Sequence, residues 1–400
     1  MIQEIRIKNY LSFRDEVVLS FEATKDTTFE ECQVVNVTPK VRLLRFALIY
    51  GANASGKSNL LNAMDFLRDF WFDKKSDIDE ETGVVPFLLD TETPNEPSEF
   101  NIKFFVGDKR YWYVLVLDDK QVIKEDLYVY NSVQPSLVFS RELDGTASLI
   151  KLNASLVKAN ATIVEQLNVK CLSNMSFFAA RNQVNCSLAY IDEVRDWMKN
   201  NMMPIIEPGT RMFEYAGKQM EKNAELKAYI LDFVHKADYN ITDVYTEREK
   251  VPIPDIVKAT IMEDKDIPEK TKEKMLADNA LERLRTDFQH TVKNKRGEES
   301  YRLPNSLQSE GTKRTFGIEA AIYEAIKTNG ILPIDEIESS LHPELVEFII
   351  EKFLKEKSRS QLIVTSHYDP LLNTVDDLIR KDSVWFTEKE EDGHTTLYSY

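Results

Sequence analysis

The chain has 400 residues, 42% of them hydrophobic and 30% charged, and this composition predicts two or three folded domains rather than a disordered chain. Acidic residues outnumber basic ones, 67 to 51, and the net charge of −16 argues against a general nucleic-acid-binding protein, so any DNA contact would need a local basic patch. Three cysteines are too few for a disulfide framework or a zinc cluster, and no apolar run resembles a signal peptide or a membrane span, so a cytoplasmic protein without a membrane partner is expected.

The first 71 residues predict strands followed by a strand–turn–helix unit. Residues 1–21 are predicted to form strands, because Val17, Leu19 and Phe21 alternate with polar neighbours. Leu43–Tyr50 is apolar except for Arg45 and therefore predicts a buried strand. Residues 60–71 carry apolar side chains at helical spacing, so the turn Gly51–Ser58 is expected to join a strand to a helix.

The middle of the chain changes its periodicity twice. Residues 74–98 are acidic and contain prolines, which predicts a loop, and residues 99–150 alternate with a period of two, which predicts an antiparallel meander. A further strand is predicted over Cys171–Ala179. Residues 186–300 have the composition of helices. We interpret the mixed charges of 263–299 as a solvated helical face, with a basic patch for a phosphate backbone as the alternative.

The last hundred residues alternate helices with short strands. Helices are predicted over 312–327 and Pro343–Lys357, and strands over Ile331–Ile334 and Gln361–Thr365. Strands that alternate with helices favour parallel pairing, so these residues predict an α/β fold.

A phosphate-binding motif follows the first buried strand. It reads GANASGKS and matches the pattern G-x-x-x-x-G-K-[ST] at every position, whereas a chance glycine-rich turn would not need the flanking strand and helix. Backbone N–H groups and the helix N-terminus would bind phosphate, Lys57 would reach the β- and γ-phosphates of ATP, and Ser58 would offer its hydroxyl to Mg²⁺. The predicted nucleotide-binding residues here are Gly51, Asn53, Ala54, Ser55, Gly56, Lys57, Ser58 and Asn59.

An acidic pair ends the strand Ile331–Ile334. Asp335 would hold Mg²⁺ directly or through water, and Glu336 would orient the attacking water. Pro333 counts against a regular strand because it lacks a ladder donor. The alternative is that the two acidic residues only cap a turn.

Two further sites complete the set of candidate residues. His367 follows a buried strand about thirty residues after the acidic pair and would reach the γ-phosphate, although a surface histidine without a role is the alternative. Ser309, Gly311 and Thr312 offer hydroxyls and backbone N–H groups at a helix start, which is a second anion-binding arrangement or simply a helix cap.

The four motifs GANASGKSN, LQSEGTKR, ILPIDEIESSLHPEL and VTSH together resemble ABC-type ATPases of the SMC/RecF/OLD branch. Within that branch the chain looks like the OLD-like AAA ATPases of bacterial phage-defence loci, the RloA/AbiL type. The opening stretch IRIKNYLSFRDEVVLSF and the late stretch IRKDSVWFTEK are also similar to the family. The resemblance implies an ABC-type, SMC/RecF-like P-loop ATPase head with an antiparallel β subdomain and a helical insertion.

The resemblance also implies roles for particular residues. Ser309–Thr312 corresponds to the ABC signature, with Thr312 where many relatives have a second glycine, and Ser339–Leu341 to the D-loop. His367 corresponds to the switch histidine. Gln183 is carried over as the Q-loop glutamine, a metal ligand, although Gln166 and Gln219 flank the same region. In this class two heads sandwich two nucleotides, so a homodimer or higher two-fold oligomer is expected.

The same resemblance predicts domain organisation. The expected divisions are an ATPase lobe over 1–185, a helical insertion over 186–300 and a second ATPase lobe over 301–400. Full OLD nucleases carry a C-terminal Toprim domain, and residues 368–400 are too few for one. We therefore expect a protein that hydrolyses ATP and does not cut nucleic acid.

Four functions compete on these residues. The leading hypothesis is an ATPase whose nucleotide-dependent dimer controls a separately encoded effector in anti-phage defence, with DNA or a phage-derived molecule as the trigger. The alternative is a DNA-repair or chromosome-associated clamp of the SMC/RecF kind, which a net charge of −16 does not favour. The SEGT signature argues against the nucleotide-binding subunit of a transporter, and a simple P-loop kinase would need neither that signature nor a switch histidine.

Overall fold

The structure, a computed structural model, describes residues 1–145, 147–237, 240–264, 269–278 and 280–400. The chain divides into two compact units. The first contains Met1–Gly209, Glu324–Ser339 and Val346–Tyr400, and the second contains Thr210–Tyr323 and Ser340–Leu345.

The secondary structure is mixed. The strands are β1 (Ile2–Lys8), β2 (Val17–Ser20), β3 (Val34–Thr38), β4 (Val41–Leu44), β5 (Phe46–Tyr50), β6 (Ser98–Val106), β7 (Lys109–Leu117), β8 (Val122–Tyr130), β9 (Ser136–Asp144), β10 (Ala147–Leu152), β11 (Ile241–Pro252), β12 (Ala280–Asn294), β13 (Gly297–Pro304), β14 (Ile331–Ile334), β15 (Gln361–Ser366), β16 (Val384–Lys389) and β17 (Thr395–Ser399). The helices are α1 (Glu30–Gln33), α2 (Lys57–Phe70), α3 (Ala161–Lys170), α4 (Phe177–Arg181), α5 (Ile191–Asn201), α6 (Phe213–Lys222), α7 (Ala224–Lys236), α8 (Asp255–Glu263), α9 (Glu269–Asp278), α10 (Glu310–Thr328) and α11 (Pro343–Lys355).

A five-stranded sheet in the first unit places the candidate motifs. Its order is β14-β15-β5-β16-β17, with β14, β15, β5 and β16 parallel and β17 antiparallel to β16. Every residue of β14 and β15 is buried, which explains their continuous apolar sequences. Because parallel strands end at the same sheet edge, the residues that follow β5, β14 and β15 meet there. The predicted parallel pairing is confirmed.

Pro333 is accommodated because β14 is the first strand of this sheet. Among the described residues, β15 is the one named strand that pairs with it, with Pro333 opposite Ile363, and only isolated bridges to Met202 and Ile206 form on its other side. On the other side the carbonyl of Pro333 accepts a hydrogen bond from the N–H of Ile206 (3.0 Å). An edge position tolerates the missing donor of proline, so the strand forms at full length.

A seven-stranded antiparallel sheet, in the order β10-β9-β8-β7-β6-β1-β2, also belongs to the first unit. One cross-strand row shows how its core forms: Ile5, Ile102, Tyr113, Leu127 and Phe139 lie opposite one another on five consecutive strands. All five side chains are fully buried. The antiparallel meander predicted over 99–150 is confirmed, and β1 and β2 extend it.

A buried carboxylate links this sheet to the start of α4. Glu125 and Arg141 are both fully buried and form an ion pair of 3.3 Å. Glu125 also accepts hydrogen bonds from the Tyr113 hydroxyl (2.9 Å), the Ser176 hydroxyl (2.7 Å) and the N–H of Phe177 (2.7 Å). Burial, together with the charge of Glu125, raises the pKa of Tyr113 well above its usual value. The carboxylate is therefore saturated with donors.

Glu125→Ala is expected to lower the free energy of unfolding by about 3–5 kcal/mol, because it leaves the Arg141 charge buried without a partner. Urea unfolding followed by circular dichroism measures this value. Glu142→Ala, at an exposed position of the neighbouring strand β9, is the control and is expected to change stability by less than about 0.5 kcal/mol. Equal effects of the two substitutions would contradict the prediction.

The strand predicted over Cys171–Ala179 is wrong. Residues 177–181 form α4 instead, and the Ser176 hydroxyl caps it by accepting the N–H of Phe178 (3.1 Å). Phe177, Phe178, Ala179 and Ala180 are all buried. A short segment that is buried all round has no polar face, so its sequence does not distinguish a helix from a strand.

The second unit combines helices with a three-stranded antiparallel sheet, in the order β11-β12-β13. The helical interpretation of residues 186–300 therefore holds for α5 to α9 and is wrong for these strands. Opposite charges face each other across them, as where Glu247 pairs with Arg285, and this mixed composition imitates a solvated helix. Phe288 supplies the core, since its ring packs against those of Phe213 and Phe316. No helix among the described residues combines the length and apolar character needed to cross a membrane.

Candidate nucleotide-binding site

The glycine-rich turn between β5 and α2 requires left-handed backbone at two positions. Gly56 has φ +102° and Ala54 has φ +62°. A Cβ atom on Gly56 would overlap the side chain of Thr395. Gly51 is similarly enclosed, because a Cβ there would lie 2.5 Å from the Thr387 hydroxyl oxygen. Both glycines of the motif are therefore required by close approach to β16 and β17.

Gly56→Ala is expected to destabilise the protein by roughly 1–3 kcal/mol, since it combines an unfavourable φ with a steric overlap. Ala54→Gly is the matched control: it relieves a left-handed residue in the same loop and should leave the thermal unfolding midpoint nearly unchanged. A thermal melt of each variant checks this, and a Gly56→Ala midpoint equal to that of the wild type would contradict it.

Residues that are distant in the sequence support the turn Gly51–Ser58 through hydrogen bonds. The Ser55 hydroxyl lies 2.6 Å from that of Thr387, and the Thr395 hydroxyl donates to the carbonyl of Ser55 (3.0 Å). The Asn59 amide donates to the Ser12 hydroxyl (2.8 Å), and the N–H of Thr395 donates to the Ser12 carbonyl (2.7 Å). The side chains of Ser55 and Asn59 are therefore engaged in hydrogen bonds within the protein. Asn53 and Ala54 are exposed on the loop.

Lys57 is buried at the first position of α2. Its ammonium donates to the carbonyls of Gly51 (2.8 Å) and Ala52 (2.9 Å), so it folds back over the loop. Burial lowers the pKa of Lys57, and the charges of Glu336, Asp335 and Glu338 only partly offset that effect. The ammonium therefore lies within the field of three carboxylates.

Ser58 and Asp335 meet although 277 positions separate them in the sequence. The Ser58 hydroxyl donates to one carboxylate oxygen of Asp335 (2.8 Å), and the Thr365 hydroxyl donates to the other (2.5 Å). A serine hydroxyl and a carboxylate at this position suit Mg²⁺. Within the described ranges, no group of three or more His, Cys, Asp or Glu side chains could hold a metal ion by itself.

Glu336 adopts a left-handed backbone conformation, with φ +45°. Its N–H donates to the Thr365 hydroxyl (2.8 Å), and its side chain is half-buried. A left-handed glutamate costs free energy, and such outliers concentrate at functional sites. The left-handed position directly follows the buried Asp335, at the end of β14.

His367 is paired with a carboxylate that the sequence analysis did not single out. Its Nδ1 lies 3.0 Å from Oε1 of Glu338, and its backbone N–H donates to the same oxygen (2.9 Å). The histidine side chain is 44% exposed and the glutamate 13%. The sequence signal for Glu338 was its position two residues after Glu336, on the turn that follows a buried strand.

The predicted signature residues lie in the second unit, at the start of α10. The Ser309 hydroxyl accepts the N–H of Thr312 (3.0 Å) and lies 2.8 Å from its hydroxyl, as in a helix cap. Gly311 is required by close approach, because a Cβ there would lie 2.5 Å from the carbonyl oxygen of Ser340. Ser340 itself has φ +60°.

Gln183 is not joined to the other predicted metal ligands. It lies in the turn after α4, where its N–H donates to the carbonyl of Ala180 (2.9 Å). Among the described residues, its side chain makes no hydrogen bond to Ser58 or Asp335. Its role as a metal ligand stays a prediction.

Comparison with known proteins gives a family model and two similar structures. Residues 46–152 and 215–373 match the model described as "AAA domain, putative AbiEii toxin, Type IV TA system". None of the curated proteins matches the chain. An SMC head domain from Thermotoga maritima is 12% identical with a TM-score of 0.45, over 100% of this chain and 98% of that chain. A structure of the SmcHead bound to the C-winged helix domain of ScpA is 14% identical with a TM-score of 0.45, over 100% of this chain and 97% of that chain.

Proposed function

The chain belongs to the ATPase family described as AAA domain, putative AbiEii toxin, Type IV TA system, and from this premise we propose that it binds ATP with Mg²⁺ at the P-loop and hydrolyses it. The contact between Ser58 and Asp335 (2.8 Å) is the observation that carries the proposal. It brings the P-loop hydroxyl and a strand-end carboxylate to one point, as a magnesium–ATP site requires.

Each side chain at the site then has a distinct task. Ser58 and Asp335 would hold Mg²⁺, which when bound neutralises charge on the β- and γ-phosphates. Lys57 would exchange its two carbonyl partners for phosphate oxygens, which are stronger acceptors for an ammonium. Glu336 would orient and deprotonate the attacking water, and His367 would contact the γ-phosphate from the end of β15.

We propose that the complete site forms between two copies of the chain. Ser309, Gly311 and Thr312 of one copy would bind the γ-phosphate held by the P-loop of the other. Two observations support this: Asn53 and Ala54 expose the outer side of the P-loop, and Ser309 is exposed at the start of α10. ATP would therefore favour a two-fold dimer, and hydrolysis would release it.

For the biological role we propose control of a separately encoded effector in bacterial anti-phage defence, in the cytoplasm. The family description names a toxin–antitoxin system, and this supports a protein that works with a second component. DNA or a phage-derived molecule would act as the trigger. The dimer closed by ATP would be the form that the effector recognises.

Lys57→Ala tests nucleotide binding. Loss of the buried ammonium is expected to weaken ATP affinity by about 10²-fold or more, because a desolvated charge pair with phosphate is worth several kcal/mol. Isothermal titration calorimetry measures the affinity, and Lys74→Ala, at an exposed loop position, should bind like the wild type. ATP binding by Lys57→Ala at wild-type affinity would overturn the P-loop assignment.

The same pair of variants tests the biological role. Cells that express the chain with its neighbouring genes should restrict phage plating, and Lys57→Ala should abolish the restriction while Lys74→Ala keeps it. Restriction that survives Lys57→Ala would separate any defence role from nucleotide binding.

A further inference from the structure

The turn that follows β14 is tied at several points to the end of β15. The N–H of Glu336 donates to the hydroxyl of Thr365 (2.8 Å), and the N–H of Ile337 donates to its carbonyl (3.2 Å). The N–H of Ser339 closes the turn by donating to the carbonyl of Glu336 (2.9 Å). Glu338 sits inside this turn, so its side chain is held in a fixed direction relative to the residues that follow Thr365.

Glu338 contacts both the backbone and the ring of His367. Its Oε1 accepts the backbone N–H of His367 (2.9 Å) and lies 3.0 Å from Nδ1 of the ring. The second ring nitrogen, Nε2, makes no hydrogen bond among the described residues, and the ring is 44% exposed, so a ligand can reach it. The geometry thus assigns one nitrogen to Glu338 and leaves the other for the site.

The arrangement carries a cost. The second oxygen of Glu338, Oε2, is buried and has no hydrogen-bond partner among the described residues. A buried acceptor without a partner is unfavourable, and an apolar residue would avoid it. The charge of Glu338 also acts on Lys57 of the P-loop. The contact with His367 is therefore the interaction that gives this partly unsatisfied carboxylate a role.

We propose that Glu338 is a positioning residue that holds the His367 ring through its contact with Nδ1, so that Nε2 faces the γ-phosphate of bound ATP. The carboxylate partner fixes the orientation of the ring. This inference rests on the proposed function, because His367 needs a γ-phosphate to contact.

Steady-state ATP hydrolysis by four variants tests it: Glu338→Ala, Glu338→Gln, His367→Ala and the Glu338→Ala/His367→Ala double variant. Glu338→Ala should lower kcat by about 10–100-fold, the usual effect of removing a residue that orients a reacting group, with KM changed less than about threefold. Glu338→Gln keeps an oxygen that can accept the backbone N–H of His367 and should recover part of the loss. If Glu338 acts only through His367, the double variant should be no slower than His367→Ala.

A double variant whose losses multiply, or a Glu338→Ala variant as active as the wild type beside an impaired His367→Ala, would overturn the inference alone. A wild-type protein without ATPase activity, or a fully active His367→Ala, would overturn the proposed function and this inference with it. Glu165→Ala, at an exposed position of α3, should keep wild-type activity. If Glu338→Ala fails to fold, the cycle of Glu338→Gln with His367→Ala gives the same comparison.

Discussion

Glu336→Gln is expected to slow ATP hydrolysis by about 10²–10⁴-fold, the usual contribution of a positioned base, without weakening ATP binding. Glutamine keeps the shape of the side chain and its capacity for hydrogen bonds but cannot take a proton from water. Asp335 keeps its contacts with Ser58 and Thr365, so the magnesium ligands are unchanged. The left-handed backbone at position 336 is also unaffected by an isosteric side chain.

This variant should also change the oligomeric state. If two P-loops and two signatures enclose ATP, blocked hydrolysis traps the closed form, so Glu336→Gln should be dimeric with ATP and not with ADP. Light scattering with each nucleotide measures the mass directly. Glu165→Gln, at the exposed position in α3, should behave like the wild type. Normal hydrolysis by Glu336→Gln would refute the assigned base, and lost activity without an ATP-dependent change of mass would indicate a monomeric P-loop enzyme.

The parts of the site that the sequence predicts well are contiguous in it. Gly51–Ser58 encodes its own turn, because the glycines, the following helix and the preceding apolar strand are all local features. The pairing of β14, β15 and β5 also follows from local patterns, since buried parallel strands are apolar throughout. Parallel pairing then brings the ends of these strands together, and this explains why Asp335 reaches Ser58.

The parts that the sequence does not predict depend on contacts between distant segments. Thr387 and Thr395 support the P-loop from strands more than 330 positions away, and nothing in their own sequence marks them. In the sequence, residue type alone does not distinguish Glu338 from the other acidic residues. Only the turn after β14 brings its carboxylate to His367. The strand β12 was missed for a different reason: its charges are balanced across strands, and composition alone does not show the pairing.

The signature residues show how a structural and a functional role coincide. Ser309 caps α10 in the structure, and the functional proposal gives the same hydroxyl a phosphate partner in a second copy. An N-cap serine accepts one N–H of the helix start, and the N–H groups that the cap does not use can bind anions. The helix-cap interpretation and the anion-binding interpretation therefore describe one geometry. Two substitutions can distinguish them if both remove the cap and only one blocks the approach of a phosphate.

Ser309→Arg separates them when it is compared with Ser309→Ala. Both remove the cap and should lower stability by about 1 kcal/mol, but only arginine fills the space that a γ-phosphate from another copy would occupy. Ser309→Arg should bind ATP normally and hydrolyse it at least about 10²-fold more slowly, because the second half of the site no longer closes. Ser309→Ala should lose far less activity. Ser306→Arg, at an exposed position three residues earlier, controls for the added charge.

ATP binding and molecular mass, measured together, show why Ser309→Arg loses ATPase activity. With ATP, Ser309→Arg should stay monomeric by light scattering, and adding Ser309→Arg to the Glu336→Gln variant should abolish the ATP-dependent dimer. That result would show that the Ser309 surface is needed for two chains to associate, and not for the chemistry within one chain. If Ser309→Arg hydrolyses ATP like Ser306→Arg, each chain completes its own site, and the exposed start of α10 serves only to cap a helix.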